Sequence, residues 1–238
     1  MYQIELLIGA DSKLSELILE YPDILGALSH LNIRLGFGEA SIREIAERYQ
    51  LNLDALTAIV ATYCNRLPHG KTIPKEALSD LLAFQKNSHT GFNQKQIPEL
   101  KALIASFADE VSEKHGKMLI SFFDGYIREV HEHFKYEEET VFPYIDAILE
   151  NRRTKGFAIH EFEKNHTDIG QKLYDLKNIL IKYMPEETDT GYRRRILYYL
   201  FSFEKQLAYH NHLEDYVLAP SVREVEKKSN EKATTSHV

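Results

Sequence analysis

The segment Ala208–Pro220, AYHNHLEDYVLAP, sets two imidazoles and two carboxylates among apolar residues. Val130–Pro143, VHEHFKYEEETVFP, repeats the layout: His-x-His, then a carboxylate, then apolar residues and a proline. Within them, His133 and Glu137 are four residues apart, and so are His210 and Glu214. On a helix that spacing puts both groups on one face, one turn above each other. Phe134, Phe142, Leu213 and Val217 flank the pairs, so the same helices carry strong apolar surface. Acid and imidazole on or near a buried face need partners. Two segments with the same pair point to two helices presenting the same ligands to one object.

Composition narrows what that object is. The 238 residues are 43% hydrophobic, enough for a core, and carry a formal net charge of −7. That sign opposes binding to nucleic acid or to an anionic membrane surface, both of which need a basic footprint. The single cysteine, Cys64, allows no intramolecular disulfide and no thiolate metal cluster within one chain. The start MYQIELLIGADSKL lacks the basic region and apolar core of a signal peptide, and no apolar run reaches membrane-spanning length. The expectation is a soluble, cytoplasmic protein with no nucleic-acid or membrane partner.

The pattern along the chain is helical, with no alternating strand signal. Residues 1–66 read as a small helical N-terminal domain: helices on either side of Tyr21-Pro22, a glycine-containing loop NIRLGFGEA, a capping box from Ser41 to Glu44, and a helix capped by Asn52. Residues 67–74, LPHGKTIP, read as a linker. Four long helical stretches come next, about 75–111, 113–150, 154–183 and 192–225, with Pro98 and Pro143 inside the first two. The polar tail 223–238 reads as disordered. Short loops between long helices predict an all-α fold: an up-down four-helix bundle over 75–222, preceded by the small helical domain.

In such a bundle His89 lies on the first helix and His166 on the third. Together with His133–Glu137 and His210–Glu214 they fall level to within about two turns. Four imidazoles and two carboxylates suit a pair of transition-metal ions. Each carboxylate has two oxygens and can bridge, and oxo, hydroxo or water oxygen can complete the spheres. Nitrogen and oxygen donors without thiolate fit iron, with manganese or zinc as alternatives. His131 and His212 point off this face, and so does His160; His115 sits near a loop. Glu129, one turn before His133, reads either as an outer-sphere partner of a ligand or as a solvated surface group. Tyr198 and Tyr199 read as core rather than as cofactor contacts.

The pattern H…HxxxE…H…HxxxE, carried by His89, HFKYEEETVFP from His133, His166 in NHTDIGQKL, and HNHLEDYVLAP from His210, resembles the hemerythrin-like (HHE) di-iron domain. With the leading helical unit, the chain resembles the iron–sulfur cluster repair (RIC) family. That resemblance implies metal ligation by His89, His133, Glu137, His166, His210 and Glu214, and two iron ions per chain. It implies nitric oxide, O2 or peroxide as small ligands and iron–sulfur proteins as partners in nitrosative and oxidative stress. Oxygen-carrying hemerythrins place two histidines four apart on the third helix; here Gly170 follows His166 at that spacing and Phe162 precedes it. The repair family's leading domain carries a cysteine pair where this chain has Gly36 and Phe37, so thiol chemistry there is absent.

An alternative reading is a di-iron redox or gas sensor that acts through protein contacts of the N-terminal domain. SIREIAERYQLNLDALTAIV resembles a helix-turn-helix. Residues 1–70, however, carry nine acidic groups against five basic ones at Lys13, Arg34, Arg43, Arg48 and Arg66, which opposes phosphate binding. Whether the site turns substrate over, and whether the chain forms a homodimer, are left open by the sequence.

Overall fold

A computed structural model of the chain describes residues 8–66, 72–152, 156–165, 170–188 and 191–235. His166 and most of the expected linker, 67–71, lie outside the described residues. Among the described residues there is no strand, only one isolated bridge between Lys13 and Ser41. The protein is all-α, a helical bundle with a small helical part at its N-terminal end. No helix among the described residues is long and apolar enough to cross a membrane.

The first four helices are α1 (Leu14–Glu20), α2 (Ile24–His30), α3 (Ile42–Tyr49) and α4 (Leu53–Tyr63). Local chemistry sets their ends. The Ser41 hydroxyl accepts from the Glu44 amide while the Glu44 carboxylate accepts from the Ser41 amide, the expected capping box. The Asn52 side chain accepts from the amides of Asp54 and Ala55. Leu14, Leu17, Ile24, Ile42, Ile45, Leu56 and Ile59 recur at helical spacing and are fully buried. Gly36 and Gly38 hold positive φ of 98° and 64°, so the loop between α2 and α3 turns where only glycine does so without strain. Cys64 follows α4 in the core, and burial pushes its thiol up to about 12. A thiol held that high carries little thiolate, the form that attacks or ligates, at neutral pH.

The longer stretches are α5 (Lys75–Gly91), α6 (Ile97–Ala108), α7 (Glu113–Tyr136), α8 (Phe142–Leu149), α9 (Ile159–Asn165), α10 (Gly170–Asn178), α11 (Gly191–Leu213) and α12 (Ala219–Thr235). Their limits fall close to the expected ones, with one systematic difference. Among the described residues four π turns interrupt the α-helical pattern, at Phe92–Gln96, Glu137–Val141, Ile179–Tyr183 and Glu214–Leu218. Two of them begin on the very carboxylates singled out by spacing. The polar tail also differs: α12 continues through 223–235, where the sequence reads as disordered. Its helical run is supported by a Lys227–Glu224 hydrogen bond of 2.8 Å and by Glu226, which accepts from the Tyr144 hydroxyl and the Ile159 amide.

The described residues fall into two compact units, one formed from 1–87, 142–164 and 209–238, the other from 88–141 and 165–208. In the second, α6, α7, α10 and α11 all point apolar residues inward. Leu100, Ile104, Phe107, Phe123, Tyr126, Val130, Leu173, Leu176, Ile196, Leu200 and Phe203 form one core cluster. Phe203 meets Phe92 and Tyr126 edge-on at 5.3 and 6.3 Å. Ile196, Leu200, Phe203 and Leu207 give the inward stripe of α11, and this stripe places Tyr198 and Tyr199 outside it. Both were expected in the core; they are 77% and 39% exposed.

Gly116 lets α7 close against the end of α6. A Cβ there would lie 2.8 Å from the carbonyl oxygen of Ala108. Gly116→Ala is therefore expected to destabilise the protein although alanine favours helix. Overpacking against backbone costs about 1–3 kcal/mol, and a melt should show a fall of several degrees; a rise would refute the close approach.

Candidate metal centre

The inner face of α5 carries Leu78, Leu81, Leu82, Gln85, Ser88 and His89, all buried. The imidazole of His89 is positioned by stacking on Phe134 of α7, centroids 4.0 Å apart and planes 18° from parallel. On α7, His133 sits one turn before Glu137, as the four-residue spacing predicts.

Around Glu137 the geometry is specific. Its Oε1 lies 3.1 Å from His133 Nε2 and its Oε2 lies 3.1 Å from His89 Nε2. One carboxylate thus presents each of its two oxygens to a different imidazole. The Glu137 side chain is wholly buried, and those of His89 and His133 are 1% and 8% exposed. The other ring nitrogen of His89, Nδ1, is 2.9 Å from Glu138 Oε1. With Nδ1–H donating to Glu138, the Nε2 lone pair of His89 is directed at the Glu137 carboxylate. Lone pair facing anion at that distance is favourable only with a proton or a cation between them.

The other pair is built the same way. His210 and Glu214 are both wholly buried, with Nε2 and Oε1 3.4 Å apart. Gln85, itself buried, donates to the His210 carbonyl at 3.1 Å. The neighbouring Tyr209 packs its ring against Tyr63 of α4, centroids 4.5 Å apart and planes tilted by 33°, donates to Asp23 at 3.2 Å and accepts from Asn65 at 3.4 Å. The candidate donor atoms of His89 and Glu137 lie within 4.8 Å of one another, as do those of His210 and Glu214.

Burying a carboxylate costs several kcal/mol unless a cation or strong donors compensate it. Each carboxylate here has imidazole nitrogen beside it, and a neutral imidazole leaves the negative charge for a cation to balance. All donors are nitrogen or oxygen. That set fits iron or manganese, and zinc is compatible with it. The residues therefore suit the metal that their spacing predicts.

The remaining expectations sort by exposure. His131, His160 and His212 are exposed, and His115 contacts the Ser112 hydroxyl at the start of α7. His166 lies outside the described residues. Glu129 accepts an ion pair from Lys172 on the surface, which is the solvated alternative. The carboxylate that orients a candidate ligand is Glu138, against His89 Nδ1. Spacing could not find it, because its place depends on where His89 lies beside α7, not on any period within α7.

The chain is similar in sequence to proteins already known. The iron-sulfur cluster repair protein YtfE of Yersinia pseudotuberculosis serotype IB (strain PB1/+) is 23% identical over 189 residues, 77% of this chain and 83% of that protein. YtfE of Yersinia pestis (strain Pestoides F) aligns with the same identity and coverage. A family profile described as "Hemerythrin HHE cation binding domain" matches residues 86–222, a span that contains all six residues of the H…HxxxE…H…HxxxE pattern. That match covers more than half of the chain, and on it the chain belongs to the hemerythrin HHE cation-binding domain family.

Proposed function

We propose that His89, His133, Glu137, His166, His210 and Glu214 hold a non-haem di-iron centre, and that the protein serves iron–sulfur cluster repair under nitrosative and oxidative stress. The observation that carries this reading is the arrangement at Glu137, whose two oxygens each face a separate imidazole. A carboxylate so placed is suited to bridge two ions, each with its own imidazole. The His210–Glu214 pair repeats the motif, and the relatives named for cluster repair align over most of the chain. Domain limits of 1–66 for the N-terminal unit, 67–74 for the linker and 75–222 for the bundle belong to the same reading, as does a cytoplasmic location.

When bound, iron would supply open coordination positions for nitric oxide, O2 or peroxide. The chain's own contribution is to bind and orient. Phe134 fixes the plane of the His89 ring, Glu138 fixes its tautomer by accepting from Nδ1, and the buried apolar surroundings keep water from the carboxylates. Iron–sulfur proteins would be the partners served.

A sensor reading is supported by one specific observation. Tyr209, the residue before His210, is tied to Asp23, Tyr63 and Asn65 near the N-terminal helices. A partner that moved those helices would tug on the ligand segment.

Metal analysis after anaerobic reconstitution tests the principal reading. It predicts two irons per chain and a visible band that changes on adding nitric oxide. One zinc per chain, with no iron uptake, would sink it.

A further inference from the structure

The π turns are the feature that the metal reading does not use, and they share a signature. The four prolines between residues 75 and 222 are Pro98, Pro143, Pro185 and Pro220. The four π turns among the described residues begin at Phe92, Glu137, Ile179 and Glu214. Each proline stands six residues after the first residue of a π turn.

There is a physical reason for the offset. A proline inside an α-helix donates no hydrogen bond to the carbonyl four residues back, and its ring strikes that carbonyl. A π turn moves the bond partner to five residues back and widens the turn. The residue before the proline makes that longer bond where its partner is defined: Ile97 donates to Phe92, Met184 to Ile179 and Ala219 to Glu214. At Pro185 the helix then ends, with Met184 in an extended conformation. At Pro143 and Pro220 it continues into α8 and α12, so the π turn is held between two helical segments.

Those two π turns begin on Glu137 and Glu214. Each inserts one residue into the helix, which rotates the downstream segment by about 100° relative to an unbroken α-helix. In that segment Phe142 and Ile145 are buried after the first turn, as are Ala219 and Val222 after the second. These residues anchor the helix beyond the turn. If the turn relaxed to α geometry, the register between the His-x-x-x-Glu pair and the helix after it would change by that rotation.

We propose that Pro143 and Pro220 are positioning residues: by enforcing the π turns that start at Glu137 and Glu214, they aim both acid–imidazole pairs at the metal. This rests on the metal reading above. Neither residue touches the ion; each acts through backbone geometry. Pro185, whose turn starts on Ile179 and ends a helix, serves as the control.

The test is Pro143→Ala, Pro220→Ala and Pro185→Ala in the full chain, loaded with Co2+ as the probe. Helicity and melting temperature report folding, chelator competition reports metal retention, and the visible d–d spectrum of bound Co2+ reports ligand geometry. Pro143→Ala and Pro220→Ala are expected to fold but to lose Co2+ to chelator at least about tenfold more readily, in the range seen when supporting groups around a metal are removed, with a shifted spectrum. The backbone N–H that each substitution introduces should be protected from hydrogen exchange, the mark of a restored α-helical bond. Pro185→Ala should match the wild type in retention and spectrum. Folded Pro143→Ala and Pro220→Ala variants with wild-type spectrum and retention would overturn the proposal while leaving the metal reading intact, provided His133→Ala loses metal. A wild-type protein that binds no Co2+ or iron would overturn both.

Discussion

His210→Ala is expected to strip the protein of most of its iron, and His133→Ala to do the same. Each imidazole stands beside a wholly buried carboxylate, at 3.4 and 3.1 Å. Losing a direct ligand should cost more affinity than the 10–100-fold typical of outer-sphere partners. The folded protein also suffers, because truncation leaves a buried carboxylate without its neighbouring nitrogen. The control is His212→Ala. It lies two residues away on an exposed surface against Tyr216, and its iron content and melting temperature should match the wild type. Added imidazole should restore part of the iron in His210→Ala if the cavity is the lost ligand's. Wild-type iron content in both His133→Ala and His210→Ala would remove these pairs from the site.

Removing the metal without mutation is the second large effect. Two carboxylates with no exposed surface, Glu137 and Glu214, are held against imidazoles, and the ion is what compensates their charge in the proposed centre. Binding to the folded state alone stabilises it by RT ln(1 + [L]/Kd), about 4 kcal/mol at a thousandfold excess over Kd. For a chain of this size each kcal/mol shifts the melting temperature by about 2–4 °C. Chelation under anaerobic conditions should therefore lower it by roughly 10 °C, and readdition of iron should restore it. Coincident melts of metal-loaded and chelated protein would show that the ion contributes nothing to the fold.

Much of this site is legible in sequence because helices convert spacing into direction. His133–Glu137 and His210–Glu214 are readable as pairs from the four-residue interval alone, and their burial follows from the apolar residues around them. His89 is a lone histidine on an apolar face, and only its level with the other helices singles it out. Glu138 and Phe134 escape notice for a different reason. One is a charged residue beside a candidate ligand and the other an ordinary core aromatic; only the placement of His89 beside α7 sets them against its ring. Tyr198 and Tyr199 mislead because a hydrophobic count does not say which side of α11 a residue takes. The stripe through Ile196, Leu200 and Phe203 decides it. The tail misleads in the other direction: polar composition argues against a packed core, yet Glu226 finds Tyr144 and the Ile159 amide and the helix runs on. The π turns have a sequence mark in the prolines six residues on, but a proline inside a helical pattern is ordinarily read as a kink or an end.

The departures at Gly36 and Phe37 bear on function as well as on ancestry. Gly36 holds a φ of 98°, a conformation that a cysteine would adopt only with strain. The turn is built for glycine. Thiol chemistry at that loop is thus excluded by residue type and disfavoured by backbone shape, and the buried Cys64 offers no substitute.

The most direct measurement is the Mössbauer spectrum of protein reconstituted anaerobically with 57Fe and then oxidised, taken with an iron count on the same sample. Two irons per chain forming a diamagnetic, antiferromagnetically coupled ferric pair is the expected result. A single isolated high-spin iron, or no iron bound at all, would contradict the proposed di-iron centre.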